Sequence, residues 1–492
     1  MKIKRLVCAA LSFSVAAAAL SGCTGGKTGK KEDPSKVPEE PYEITWYTRA
    51  SAQSGVKEVE AKVNEFLKDK INATLKFNIL DAAQYAKKMS TMTAAGESYD
   101  IAFYSAGLTD YEGDIRSDAL FDMAPYVDEY MPKLKELFEK DFFEAAYVDG
   151  KLGAVPILKE NSSQYGWIYR KDIAEKYGID MTKMKNLDLL EPYLEKIKAG
   201  EPEMEYPIEW DSASSPHNLL AYMMPGPDCV CYLDENGVPR DKIEIFPETK
   251  EFRELCEDTR RYYLKGLVKK DVLTASNAQE RFKAGKAFCI IANLKPGGCY
   301  EQFPDMKDTI AQAGFGPITQ NTPLASMLGV SSTCKNPYRV MRFLELLYTE
   351  PELANLMIYG IEGRDYTKLD SETVRVSENP QYNLTANQWQ MGNVFLNYYQ
   401  ENEDHQKKEK YLEYNKQGVP NVLNRFHPNI DDFELEKIAV DAVKAQYRSQ
   451  ATVGALDTDQ ILSEYVSKLK EAGIEKVIEG LQKQYDELRK AQ

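Results

Sequence analysis

What the chain lacks narrows its function before any motif is found. It has no excess of positive charge: 62 Lys and Arg stand against 77 Asp and Glu, a formal net charge of −15 at pH 7. Holding phosphate backbones takes clustered cations, so nucleic acid is not expected as a partner. It has only three histidines, scattered at 217, 405 and 427, and the six cysteines of its body (229, 231, 256, 289, 299 and 334) form no CxxC pair. No metal site and no cofactor is therefore expected. Spacing assigns no disulfide, and buried free thiols are an equal reading of those cysteines. No GxSxG elbow or HExxH occurs. Gly26-Lys27-Thr28 has the look of a phosphate-loop end, but Ser21 stands where the first glycine belongs and no strand precedes it. Catalysis has no announcing motif, and there is no internal repeat.

What is present begins at the N-terminus. Lys2, Lys4 and Arg5 precede an apolar run from Leu6 to Leu20 and then Leu20-Ser21-Gly22-Cys23, the order of a secretory signal. The run is too short to span a bilayer, which takes about 20 residues. Small residues followed by Cys are what lipoprotein processing requires, so residues 1–22 read as a signal peptide and Cys23 as the lipidated first residue, anchoring the protein on the outer face of the cell membrane. Residues 23–41 hold no aromatic and only Val37 as a large apolar residue, and read as a flexible tether. The body from 42 onward suggests two or three units at about 100–200 residues each.

YEITWYT (Tyr42 to Thr48) reads as a strand, followed by a helix with Val56, Val59, Val63, Phe66 and Leu67 on one face. Alternation through Ile71, Ala73, Leu75, Phe77 and Ile79 gives a second strand, Tyr85, Met89 and Met92 a second helix, and YDIAFY a third strand. This β-α-β-α-β series implies a parallel sheet with ligands beyond its carboxyl edge, at Thr48 to Ser51 and Tyr104 to Asp110. Further on, GKLGAVPI, WIYR and KAFCIIAN read as strands of a second α/β region, and Asn336-Pro337 as the cap and first turn of a helix. From Asp432 the pattern is helical, with Asp457 capping a helix three residues before Gln460.

The 31 tyrosines and four tryptophans stand out, several near strand ends: Trp46, Tyr104, Tyr111, Tyr165, Trp167, Trp210, Tyr300 and Trp389. A pyranose offers a face of C–H groups to an aromatic plane and a rim of hydroxyls to Asp, Glu, Asn and Arg, so such residues suit sugars. The plainer reading of each is core packing.

Together these pieces resemble the extracellular solute-binding proteins, family 1, which serve carbohydrate-type ABC importers. The resemblance lies in Cys23, in SYDIAFYSA followed by SDALFDMAPYVDEY, in DGKLGAVPILKENSSQYGWIYRKDIAEKYGID, and in KNPYRVMRFLELLYTEPELANLMIYGIEGRDYTKL. The C-terminal stretch is similar to a subgroup bearing a domain of unknown function. The resemblance implies an α/β, two-lobed periplasmic-binding-protein-like fold with a hinge, plus a helical C-terminal region at about 420–492. Lobe 1 would be 42–147 with 317–360 and lobe 2 would be 148–316 with 361–492, crossing near Val148, Gly316 and Gly360. It places Arg49, Ser51, Tyr104 and Ser105 on one side of a ligand and Tyr165, Trp167 and Asn293 on the other, with Trp210, Glu362 and Trp389 as further candidates. It implies a monomeric, non-enzymatic protein that delivers an oligosaccharide or related solute to permease subunits. A surface-anchored carbohydrate-active enzyme and a non-transporting glycan-binding adhesin or sensor are the alternatives.

Overall fold

The computed structural model describes residues 31–211, 214–234 and 237–490. The signal peptide and Cys23 lie outside the described residues. No helix among the described residues is long and apolar enough to cross a membrane. The chain forms two compact units. Of the described residues, the first takes those up to Glu139, then Ala146–Leu158 and Leu324–Glu401; the second takes Lys140–Ala145, Lys159–Pro323 and those from Asn402.

The first unit is built on a five-stranded sheet in the order Ala73–Leu80, Tyr42–Arg49, Ile101–Tyr104, Met327–Val330, Ala154–Pro156. The first three strands run parallel, as alternating strands and helices require, and Met327–Val330 runs antiparallel to both its neighbours. Helix Val56–Ile71 buries Val59, Val63 and Leu67, the stripe its sequence spacing predicts, and Asn72 ends it in a left-handed turn. Helix Ala82–Ala95 starts at Asp81, whose carboxylate accepts from the Ala83 amide at 2.9 Å. Trp46 is sealed in the core, edge-on to Phe77 and Phe343. Asn336 caps helix Pro337–Thr349 as its sequence indicates, accepting from the Arg339 amide at 3.1 Å.

The end of the segment read as tether is tied down. The guanidinium of Arg339, 1% exposed, donates to both oxygens of Glu32 at 2.6 and 2.8 Å and to the carbonyls of Ile71 and Asn72. Burial alone would raise the Glu32 carboxyl, but these bonds and one from Asn336 hold it below the usual carboxylate range. A flexible tether therefore does not extend to Glu32. Residues 361–401, expected from the sequence with the second lobe, lie in the first unit. Gly360 at φ 76° makes a turn rather than a crossing, and Asp365, fully buried, accepts from the amides of Ile361, Gln381 and Tyr382 and so gathers that segment around itself.

The second unit carries a sheet in the order Ile310–Gly314, Ser162–Arg170, Cys289–Leu294, Ile208–Glu209, with Ser162–Arg170 antiparallel to both its neighbours. One face of it, with Trp167, Cys289, Ile291 and Ala313, packs into a core with helices Leu187–Gly200 and Lys250–Leu264. The other face, with Ile168, Ile290, Leu294 and Ile310, packs into a second core. A small sheet over 222–245, unforeseen from the sequence, packs against the C-terminal helices Glu434–Thr452, Thr458–Glu471 and Ile474–Lys490. Its turn residue Asp228, at φ 51° and fully buried, accepts from Arg448 at 3.0 Å and from the Tyr465 hydroxyl. Asp457 caps its helix by accepting from the Gln460 amide at 3.1 Å. All six body cysteines are buried free thiols.

Candidate functional site

In the first unit the loop after strand Tyr42–Arg49 is fastened to the segment 381–389. The Gly55 amide donates to Gln381, the Asn383 amide to the Gln53 side chain at 2.8 Å, and the Asn387 side chain to the Arg49 carbonyl. This brings together Arg49 and Trp389, distant in sequence. The guanidinium lies 5.8 Å from the indole centroid, while the edge-on ring of Phe103 supports the indole at 5.4 Å. The Trp389 carbonyl is fixed by the Ser326 hydroxyl at 2.5 Å. Ser51 is exposed two residues beyond Arg49. Gln53 and Asn387 were missed in the sequence, where a polar turn such as TANQWQ has no periodicity to read.

Three residues expected here do other work. Tyr104 is 3% exposed; its hydroxyl donates to Asp114 at 2.8 Å, its ring packs on Tyr111, and burial pushes the phenol above its ordinary range. It is a core residue. The Ser105 hydroxyl donates to the Ala325 carbonyl at 2.8 Å, which spends its proton on the strand-end turn. Glu362 stands on the exposed turn after Gly360, paired with Lys368 at 3.5 Å instead of joining Arg49 and Trp389.

In the second unit Tyr165 and Asn293 are direct cross-strand partners. Both are exposed, Tyr165 at 39%. They continue the row that holds Trp167 opposite Ile291, because alternate residues of a strand share a face. Trp167 itself is fully buried. Its indole donates to the Met184 carbonyl at 2.7 Å and meets Phe315 edge-on, so it offers no face to a ligand and the stacking role expected of it fails. Trp210 fails likewise: fully buried, it is stacked on Tyr262 with its indole directed at the Val453 carbonyl. The structure thus leaves Arg49, Ser51 and Trp389 on one unit and Tyr165 and Asn293 on the other. These are ring faces, a guanidinium, a hydroxyl and an amide, a recognition chemistry suited to polar solutes with apolar faces.

Residues 50–353 match the family described as bacterial extracellular solute-binding protein, and residues 422–490 match the domain of unknown function DUF3502. A carbohydrate ABC transporter substrate-binding protein of Streptococcus pneumoniae serotype 4 is 27% identical over 504 residues, covering 99% of each chain. The crystal structure of the N-glycan transport solute binding protein NgtS from S. pneumoniae is similar in fold, with a TM-score of 0.78 at 24% identity over 92% of this chain and 99% of that one. Its complex with Man5GlcNAc gives 0.68 at 25% identity over 92% and 99%. The family is one of binding proteins and not of enzymes, and this chain, two α/β units with a helical C-terminal region, belongs to the bacterial extracellular solute-binding proteins.

Proposed function

We propose that the protein captures an oligosaccharide outside the cell and delivers it to the membrane permease of an ABC importer, as a monomer held at the membrane by lipid on Cys23. The observation that carries the sugar reading is the exposed Tyr165–Asn293 pair, an aromatic ring beside a hydrogen-bonding amide on a rigid sheet; Arg49, Ser51 and Trp389 supply the same chemistry on the first unit. The full-length match to a carbohydrate transporter's binding component supports it. Lipid anchoring rests on the Leu-Ser-Gly-Cys sequence alone.

Thermal unfolding against a glycan panel tests the ligand. A glycan that binds only the folded state raises stability by about 2.7 kcal/mol at 100 times its Kd. If no glycan shifts the transition, the sugar reading fails; new reducing ends on incubation would establish an enzyme instead. Retention of Cys23→Ser at the membrane would overturn the anchor.

A further inference from the structure

Residues 31–41 have the composition of a free tether, yet they lie along the first unit as a strap. Val37, their one large apolar residue, stays 52% exposed, so apolar burial does not hold them there. Main-chain carbonyls do. Beyond the clamp of Arg339 on the Glu32 carboxylate, the Tyr130 hydroxyl donates to the Glu32 carbonyl and Arg342 to the Lys36 carbonyl at 2.8 Å. The Asn72 side chain donates to the carbonyls of Pro38 and Glu39 at 3.0 and 2.9 Å, and Arg339 reaches that of Glu40 at 3.2 Å. Between these ties Asp33 closes a turn, accepting from the Ser35 amide at 3.0 Å and from its hydroxyl at 2.6 Å.

The fastening belongs to the fold. Arg339 is 1% exposed, and Glu32 is the only carboxylate paired with it among the described residues. Undocking the strap would leave a buried cation without its counter-charge, which is a costly state. Docking also changes how far the body can stand from a lipid on Cys23. Nine steps of chain lead from Cys23 to Glu32 and nineteen from Cys23 to Tyr42. At roughly 3.3–3.6 Å per residue, the first stretch spans at most about 30 Å and the second about 65 Å.

We propose that the strap sets a short leash: it fixes the point where the membrane anchor meets the body, at the corner of the first unit formed by Tyr130 and Asn336, and holds that corner within about 30 Å of the lipid surface. This rests on the lipidation of Cys23 proposed above, and adds to it a defined attachment point and a reach. Halving a leash raises the effective concentration of the body at a membrane partner by about threefold, since that concentration falls roughly as the −3/2 power of length. A protein that hands its solute to a permease gains directly from such confinement.

Trypsin acting on the full lipidated chain in vesicles tests the strap. Lys27 and Lys30 precede it and Lys36 lies within it, so a cut before the strap frees a body that still carries Lys36, whereas a cut at Lys36 requires undocking. Mass spectrometry of the released wild-type body should find residues 33–41 retained. Glu32→Ala removes the clamp and should be trimmed to Val37 faster by about tenfold or more, because cleavage of a transiently opened segment tracks its open population. Asn72→Gly keeps the left-handed helix end, at φ 45°, while losing two ties to the strap, and should quicken trimming by less. Neutron reflectometry on supported bilayers reads the leash itself: a Gly-Ser insertion of about twelve residues between Lys30 and Lys31, which leaves the strap untouched, should widen the gap between bilayer and body by as much as about 40 Å. Wild type trimmed to Val37 as fast as the variants, variants as resistant as wild type, or a wild-type gap as wide as that of the insertion chain overturns the short leash while leaving the anchor intact. Wild-type protein that does not partition into the vesicles overturns the lipidation of Cys23, and the leash with it.

Discussion

Tyr165 and Trp167 stand two residues apart on one face of one strand, and their surroundings are opposite. Trp167 and its partner Ile291 lie under the helices of the second unit, with the indole N–H satisfied by Met184. One step along the row, Tyr165 and Asn293 run out from under that cover. The same sheet face is thus a core at one end and an exposed surface at the other. The cluster around Asp228 resembles the closed end: carboxylate, guanidinium and phenol satisfy one another inside the fold and leave nothing for a ligand. Chemical type alone does not mark a binding residue; what separates these groups is whether the fold has already used their faces and hydrogen-bonding atoms.

The largest effects are expected at the closed end. Trp167→Ala should cost about 3–5 kcal/mol of stability, since it removes a fully buried indole. Urea unfolding reads this directly, and glycan affinity of the remaining folded protein should be unchanged. A mild stability change with lost affinity would reverse the assignment of the two ends. Asp228→Asn keeps the shape and tolerates the positive φ but removes the charge, leaving half-buried Arg448 without its counter-charge. Breaking a buried pair from one side costs about 3–5 kcal/mol. The same unfolding measurement checks it, and a loss below about 1 kcal/mol would show the cluster to be open to water.

Where periodicity and capping set the structure locally, the sequence was readable: the strand and helix alternation over 42–104, the Asn336 cap and the Asp457 cap all stand as expected. Arg49 and Trp389 were named, but their meeting depends on Gln53 and Asn383, polar loop residues with no pattern of their own. Trp167 was singled out because it stands near a strand end, beside Gly166. Gly166 is a strand residue whose added Cβ would meet the Ala313 carbonyl at 2.4 Å, so the glycine is there for close strand packing. The cover over Trp167 comes from residues such as Met184 and Leu190, brought in by tertiary packing that no local pattern encodes. The small sheet over 222–245 was missed for the same reason, since its packing surface is the C-terminal helices, some 200 residues away in sequence.

A weaker effect, in pH, probes the edge of the closed cluster. Burial, aided by nearby Arg448, pulls His217 down to about 4 from an ordinary value near 6.5. Between those values the unfolded chain binds the proton and the folded protein does not, so stability rises with pH over that interval and is lost on acidification from about 6.5 toward 4. One such group contributes a slope of at most about 1.4 kcal/mol per pH unit. His217→Gln should flatten the stability profile by about one proton in that window; an unchanged slope would mean that His217 is solvated.

The smallest change in stability, and the sharpest test of the open end, is expected at Tyr165. Its ring is 39% exposed and its backbone hydrogen bonds are kept whatever the side chain, through the pairing with Asn293 and the Phe315 amide. Tyr165→Ala should therefore alter the unliganded protein by only about 1 kcal/mol, well short of Trp167→Ala. If a sugar ring packs on it, the loss should appear in binding instead: aromatic contacts are worth about 0.5–1.5 kcal/mol beyond their buried area, a weakening of up to about tenfold. Tyr165→Phe separates ring from hydroxyl, retaining affinity if the face alone is used. Asn293→Ala should weaken the same glycan by less, by roughly the net worth of one hydrogen bond. Calorimetry on the three variants with a glycan that shifts the wild-type thermal transition, alongside their melting temperatures, decides the matter. Should Tyr165→Ala bind as the wild type does, or unfold as early as Trp167→Ala, the row from Trp167 to Tyr165 is core along its whole length and the sugar contact lies elsewhere.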